Sequence, residues 1–99
     1  MATTPKKLTI ADITKKLKKI SEWVVNAKNT EISRTFETAS FIAGLSGIAR
    51  IAVHAELLNH HPDIELSYHK VKVTLSTHDL KGLSIKDFEL AQKIDSLKI

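Results

Sequence analysis

Apolar residues recur every three or four positions early in the chain, at Ile10, Ile13, Leu17 and Ile20, with lysines between them. That is the period of an amphipathic helix, and it places the apolar residues on one face with the lysines opposite. The helix has a start signature: Thr9 can cap it, Asp12 follows three residues on, and Leu8 can staple against Ile13. Trp23-Val24-Val25 then predicts a strand, and Asn26-Ala27-Lys28-Asn29 supplies turn residues. From Glu31 to Phe36 the pattern alternates, with Ile32, Arg34 and Phe36 on one parity and Ser33 and Thr35 on the other. The two segments predict a hairpin whose second strand is only partly amphipathic, which leaves its register open.

A longer helix is expected from Thr38 to about Leu58. Its apolar positions (Phe41, Ile42, Leu45, Ile48, Ala49, Ala52, Ala55 and Leu57 or Leu58) spread over more than one stripe. Small residues at Ala43, Gly44, Ser46, Gly47, Ala49 and Ala52 permit close backbone approach, so the helix is expected to pack a sheet on one side and another subunit on the other. Pro62 ends it, because the residue before a proline is driven away from helical angles. Ile64 to Ser67 predicts a short strand. Tyr68 to Ser76 alternates with Val71, Val73 and Leu75 on the core side, and strict parity puts His78 on the opposite face with Lys70, Lys72, Thr74 and Ser76. Only a bulge or the end of the strand can re-aim His78. Lys81-Gly82 turns the chain, and Ser84 with Asp87 forms a second capping-box pattern, opening a last helix through Phe88, Ala91, Ile94 and Leu97. The resulting order, α-β-β-α-β-β-α, predicts one α+β domain over residues 1–99, a four-stranded antiparallel sheet with helices packed on one face.

With 99 residues there is room for a single domain, and the modest buried fraction at that size makes self-association unsurprising. Cysteine is absent, which excludes disulfides and thiolate metal sites and fits a cytoplasmic or nuclear location. No apolar run is expected to reach the roughly 18 residues a membrane span needs, and residues 1–7 lack the apolar core of a signal peptide. The first arginine is Arg34, which argues against a transit peptide. The net charge of +4 is carried by residues 1–22, where six lysines face two acids; beyond them nine basic residues meet nine acidic ones. No aromatic residues interleave with those lysines to stack bases, so the basic segment reads as the solvated face of the first helix, and nucleic acid is not an expected partner.

The chemistry concentrates in Asn59-His60-His61-Pro62 and Thr77-His78-Asp79, three imidazoles at the ends of two predicted elements. Imidazoles trade protons near neutral pH. At a helix C-terminus the macrodipole favours the imidazolium form, so His60 and His61 are placed to donate protons. Consecutive helical residues point about 100 degrees apart, so both can face one ligand only if the helix unwinds before Pro62. His54 and His69 read as surface polar residues. Zinc is disfavoured because adjacent histidines do not easily ligate one ion and no HxH or HxxxH pairing occurs. No serine in a G-x-S-x-G elbow and no phosphate-binding glycine loop is present, with glycine only at Gly44, Gly47 and Gly82. Asp87 can serve as capping partner of Ser84 and also orient an imidazole, since a carboxylate has two oxygens. Glu56, one turn before His60, has the same choice between solvent and a ligand.

At these residues the chain resembles the pterin-4a-carbinolamine dehydratase family: Ala55-Glu56-x-x-Asn59-His60-His61-Pro62-Asp63, Tyr68, Val71-x-Val73-x-Leu75-Ser76-Thr77-His78-Asp79, Gly82-Leu83 and Asp87-Phe88, over roughly residues 23–97. The resemblance implies elimination of water from a 4a-hydroxytetrahydropterin to give quinonoid dihydropterin, with no metal or cofactor. It implies that His60, His61 and His78 are the catalytic imidazoles and that Asp87 orients them. It further implies that Glu56, Asn59, Pro62, Ser76, Thr77, Asp79 and Leu80 contact the pterin. Ile64 stands where animal members often carry tryptophan, and Leu80 replaces a smaller residue; neither change removes a proton-transfer group. Animal members also act as dimerisation cofactors of a homeodomain transcription factor through the helical face that builds their homotetramer. In this chain that face is the Phe41 to Leu57 helix, which a homo-oligomer, dimer or tetramer, explains without a heterologous partner.

Overall fold

The computed structural model describes residues 5–99. The reading of residues 1–4 as lacking a signal core lies outside them. The elements are α1 (Ile10–Leu17), β1 (Val24–Val25), β2 (Ile32–Glu37), α2 (Phe41–Leu58), β3 (Asp63–Ser67), β4 (Lys70–Leu75), a 3₁₀ turn (His78–Leu80) and α3 (Ile85–Ser96). The strands form one antiparallel sheet in the order β1-β2-β4-β3, with the helices on one face, as the sequence pattern predicts.

Alternation sets the core. Ile32 and Phe36 of β2 lie opposite Leu75 and Val71 of β4, and all four are buried with Val73 beneath the helices. Arg34 pairs with Val73 and so falls on this same apolar face. Its guanidinium is accommodated because it lies 4.3 Å over the Phe36 ring and reaches Asp95 Oδ1 of α3 at 2.7 Å. The same oxygen accepts the Trp23 Nε1 proton at 2.8 Å. This cluster settles the register of the first hairpin, which the alternation alone leaves open.

Thr9 and Asp12 cap α1 reciprocally, and Leu8 and Ile13 both join the core as a staple does. The first-helix stripe is less complete than expected: Ile13 and Ile20 are buried, but the helix stops at Leu17 and Ile10 in its first turn is 65% exposed. Tyr68 is not the start of β4. Ser67 pairs with Lys70, so Tyr68 and His69 make a two-residue turn, with Tyr68 at φ 52°, unusual for a bulky residue. The turn is held from outside, as Thr38 donates its N–H and its hydroxyl to the His69 carbonyl at 2.8 and 3.0 Å. Thr38 is thus a loop residue, and α2 begins three residues later, capped by Ser40 accepting from the Ala43 N–H.

α2 lies across β3 and β4 through its small residues. Gly44 and Gly47 are buried with Ile51 and Ala55. A Cβ at Gly44 would stand 2.7 Å from Leu66 Cδ1 and 3.2 Å from Val71 Cγ2, so only glycine fits this contact without displacement. The opposite face is apolar and open: Phe41, Ile42, Leu45, Val53 and Leu57 are exposed. The expectation of no span-length apolar segment needs correction. α2 has 18 residues and a mean hydropathy of 1.5, enough by length and composition to cross a bilayer, with 22% of it buried within the chain. Its apolarity comes from serving two faces, one on the sheet and one open, while Arg50 reaches back to the Leu97 carbonyl at 2.7 Å.

Gly44→Val should destabilise the fold by about 1–3 kcal/mol through overpacking against Leu66 and Val71, read as a lower urea midpoint with unchanged m-value. A midpoint equal to wild type would refute close packing of α2 on the sheet.

Candidate active site

Four chain segments meet at the end of the sheet where α2 stops and β4 ends. α2 closes in a Schellman arrangement: the Asn59 N–H bonds the Glu56 carbonyl at 3.1 Å and the His60 N–H bonds the Ala55 carbonyl at 3.0 Å. Asn59 adopts left-handed angles (φ 50°, ψ 46°), so the chain leaves the helix one residue before the histidine pair. The unwinding required for His60 and His61 to share a ligand is therefore present, and Asn59 makes it two residues ahead of the inferred break. His78 is re-aimed by the end of β4: the strand stops at Leu75 and His78 opens a 3₁₀ turn. That turn closes with Lys81 in the left-handed region, while the Thr77 N–H bonds the Gly82 carbonyl at 2.8 Å.

The result is a pocket of about 210 Å³ lined by Asn59, His60, His61, Ser76, Thr77, His78 and Asp79. All three imidazoles proposed from the sequence are in it. Pro62 and Leu80, expected to contact a ligand, are not among its lining residues, and neither is Glu56, which instead bonds the His61 ring. His54 and His69 stay outside, the latter edge-on to the Tyr68 ring. Among the described residues no cluster of His, Cys, Asp and Glu is arranged to hold a metal ion.

The two adjacent histidines differ in surroundings. The His60 side chain is 10% exposed and its Nε2 lies 2.5 Å from Asp87 Oδ1, whereas that of His61 is 58% exposed and pairs with Glu56 at the surface. Asp87 is fully buried in the first turn of α3. Its Oδ2 accepts the Ser84 N–H at 2.9 Å and the Thr77 hydroxyl at 2.7 Å, so one carboxylate caps a helix and orients an imidazole, as the sequence allows. With Nε2 engaged, Nδ1 is the His60 nitrogen left without a protein partner among the described residues. Such a ring can accept a proton at Nδ1 when neutral and donate one there as imidazolium. The hydroxyl of Ser84, 2.7 Å from Thr77 Oγ1, also belongs to this network, and the sequence signals it only through its capping-box spacing to Asp87.

The family model for pterin 4 alpha carbinolamine dehydratase matches residues 6–97, which takes in α1 as well as the motif-bearing part of the chain. Proteins of Chloroflexus aggregans and Nostoc punctiforme, both provisionally named pterin-4-alpha-carbinolamine dehydratases, are each 42% identical over 91 residues, 92% of this chain and 96% of theirs. The crystal structure of a transcriptional coactivator/pterin dehydratase from Brucella melitensis superposes with a TM-score of 0.88 at 29% identity, covering 93% of this chain and 98% of that one. A pterin dehydratase-like protein identified as a RuBisCO assembly factor in the alpha-carboxysome shares the fold, with a TM-score of 0.65 at 21% identity over 77% of this chain and 88% of that one.

Asp87→Ala should cost about 3 kcal/mol of stability, because it orphans buried donors on Ser84 and Thr77 and the His60 ring together. Glu56→Ala, at an exposed pair, should cost under about 1 kcal/mol. Urea unfolding of the two variants checks the contrast, and equal losses would contradict it.

Proposed function

The chain belongs to the pterin 4 alpha carbinolamine dehydratase family, and we infer that it eliminates water from a 4a-hydroxytetrahydropterin to yield quinonoid dihydropterin. The protein is a hydro-lyase of pterin recycling. The observation that carries this reading is the gathering of His60, His61 and His78 around one pocket, with a buried carboxylate behind His60.

The chemistry needs two proton transfers and nothing more. Hydroxide is a poor leaving group, so cleavage of the C–O bond gains from an imidazolium that protonates the departing oxygen. The electron pair of the adjacent ring nitrogen forms the C=N bond, and its proton passes to a neutral imidazole. One ring loses a proton as another gains one, water leaves, and the enzyme is balanced. We assign these steps to His60, His61 and His78. His60, sheltered and backed by Asp87, holds one orientation; His61 and His78 are exposed and can serve either direction of transfer. Asn59, Ser76, Thr77 and Asp79 form the walls available to the pterin, whereas Glu56, Pro62 and Leu80 lie outside the pocket lining. A chain without cysteine needs no oxidising compartment, and we propose a cytoplasmic location, with the nucleus as the alternative.

The open face of α2 supports a further assignment, that the protein is a homo-oligomer joined through this helix. Exposed Phe41, Leu45, Val53 and Leu57 recur at four-residue intervals or multiples of them, forming one ridge of the kind that packs against another helix. The same ridge favours a second reading, an interaction protein that uses α2 to dock a transcription factor or another partner. His61→Ala separates the two, since it should abolish dehydration while leaving assembly intact.

Purified protein should accelerate dehydration of chemically generated 4a-hydroxytetrahydropterin, and the His60→Ala/His61→Ala double variant should lose about 10²–10⁴ of that acceleration. No acceleration by folded wild type would overturn the dehydratase reading. Leu45→Asp should lower the molar mass found by sedimentation or light scattering; an unchanged mass removes α2 as the interface.

A further inference from the structure

The hydroxyl of Thr77 has no proton left to offer a ligand. It lies 2.7 Å from Asp87 Oδ2 and 2.7 Å from Ser84 Oγ. An ionised carboxylate can only accept, so the single Thr77 hydroxyl proton points to Asp87, and Ser84 supplies the proton of the second contact. The Ser84 N–H reaches the same Oδ2 at 2.9 Å. Thr77, Ser84 and Asp87 are all buried, and no buried side-chain nitrogen or oxygen among the described residues lacks a partner.

The backbone around these groups is held from both sides. Thr77 and Gly82 bridge across the 3₁₀ turn, and the Leu8 N–H bonds the Leu83 carbonyl at 2.8 Å. The Lys7 stem lies over Gly82 so closely that a Cβ there would come within 2.6 Å of Lys7 Cε. Ser84 therefore has little freedom to move away from Thr77. By contrast, the terminal torsion of an aspartate is broad, so the direction of the Asp87 oxygens must be set by their partners.

We propose that Thr77, although its residue lines the pocket, is a positioning residue and not a substrate contact: its hydroxyl, itself fed by Ser84, holds Asp87 Oδ2 so that Oδ1 faces His60 Nε2 and Nδ1 becomes the nitrogen that exchanges protons with substrate. The relay runs from Ser84 to Thr77 to Asp87 to His60. Without the Thr77 hydroxyl, Oδ2 keeps only the Ser84 N–H, the carboxylate can turn, and His60 loses the bond that selects its Nε2–H tautomer when neutral. This inference rests on the dehydratase reading for its kinetic consequences alone; the tautomer is a property of the free protein.

The test compares Thr77→Val, which preserves the branched shape, with Thr77→Ser, which preserves the hydroxyl. Thr77→Val should lower kcat by about tenfold or more with KM within about twofold of wild type, and Thr77→Ser should restore most of kcat. In parallel, ¹⁵N resonances of the His60 ring above its titration should show the Nε2–H tautomer in wild type and Thr77→Ser, and a mixture in Thr77→Val. A raised KM with kcat retained would make Thr77 a substrate contact and overturn the proposal, as would an unchanged tautomer or a serine variant no better than valine. If wild type shows no dehydration, the functional reading fails and the ring resonances still decide the positioning role. Should Thr77→Val not fold by circular dichroism, Thr77→Ala takes its place with the same expected tautomer mixture, and an unchanged tautomer there overturns the relay.

Discussion

Both oxygens of the Asp87 carboxylate are consumed inside the protein, Oδ2 by the Ser84 N–H and the Thr77 hydroxyl and Oδ1 by the His60 ring. A buried charge is tolerable only when its lone pairs are met by donors, and those donors come from the end of β4, the start of α3 and the end of α2. The carboxylate therefore acts as a joint between three elements. Any rearrangement that separates them leaves an unpaired charge at the base of the pocket, which ties the integrity of the fold to the geometry of His60.

Around that joint the chain uses short, sharp endings to aim its functional groups. Asn59 in left-handed angles releases the histidine pair from α2, and the end of β4 followed by a 3₁₀ turn brings His78 to the same side. The site thus sits where helix and strand regularity stops. Backbone groups there are satisfied by Schellman bonds, the Thr77–Gly82 bridge and the N-terminal segment along Leu83, which allows irregular backbone at a site that must hold side chains still.

α2 carries a second constraint. Glycines on one side let it lie against Leu66 and Val71, and large apolar side chains on the other remain open to solvent in the isolated chain. A helix apolar all round is one that is covered all round, and this chain covers only one side. Its composition matches a membrane span while one side of it packs on the sheet and the other stays open.

Much of this was legible in the sequence because the signals are local. Both capping boxes, the alternation of Val71, Val73 and Leu75 and the His-His-Pro and Thr-His-Asp spacings are set by neighbouring residues, and they identify the element order, the sheet and the candidate imidazoles. Even the double role of Asp87 follows from its having two oxygens. What depended on contacts between distant segments was not legible: the Tyr68-His69 turn is held by Thr38, Arg34 sits on the core face because Asp95 and Phe36 receive it, and Ile10 is exposed because none of the described residues covers it. The tertiary structure alone decided that Asp87 takes His60 and not His61, and that the Thr77 hydroxyl turns inward to the carboxylate. Those choices depend on which groups reach hydrogen-bonding distance once α2, β4 and α3 have packed, a quantity that no local pattern encodes.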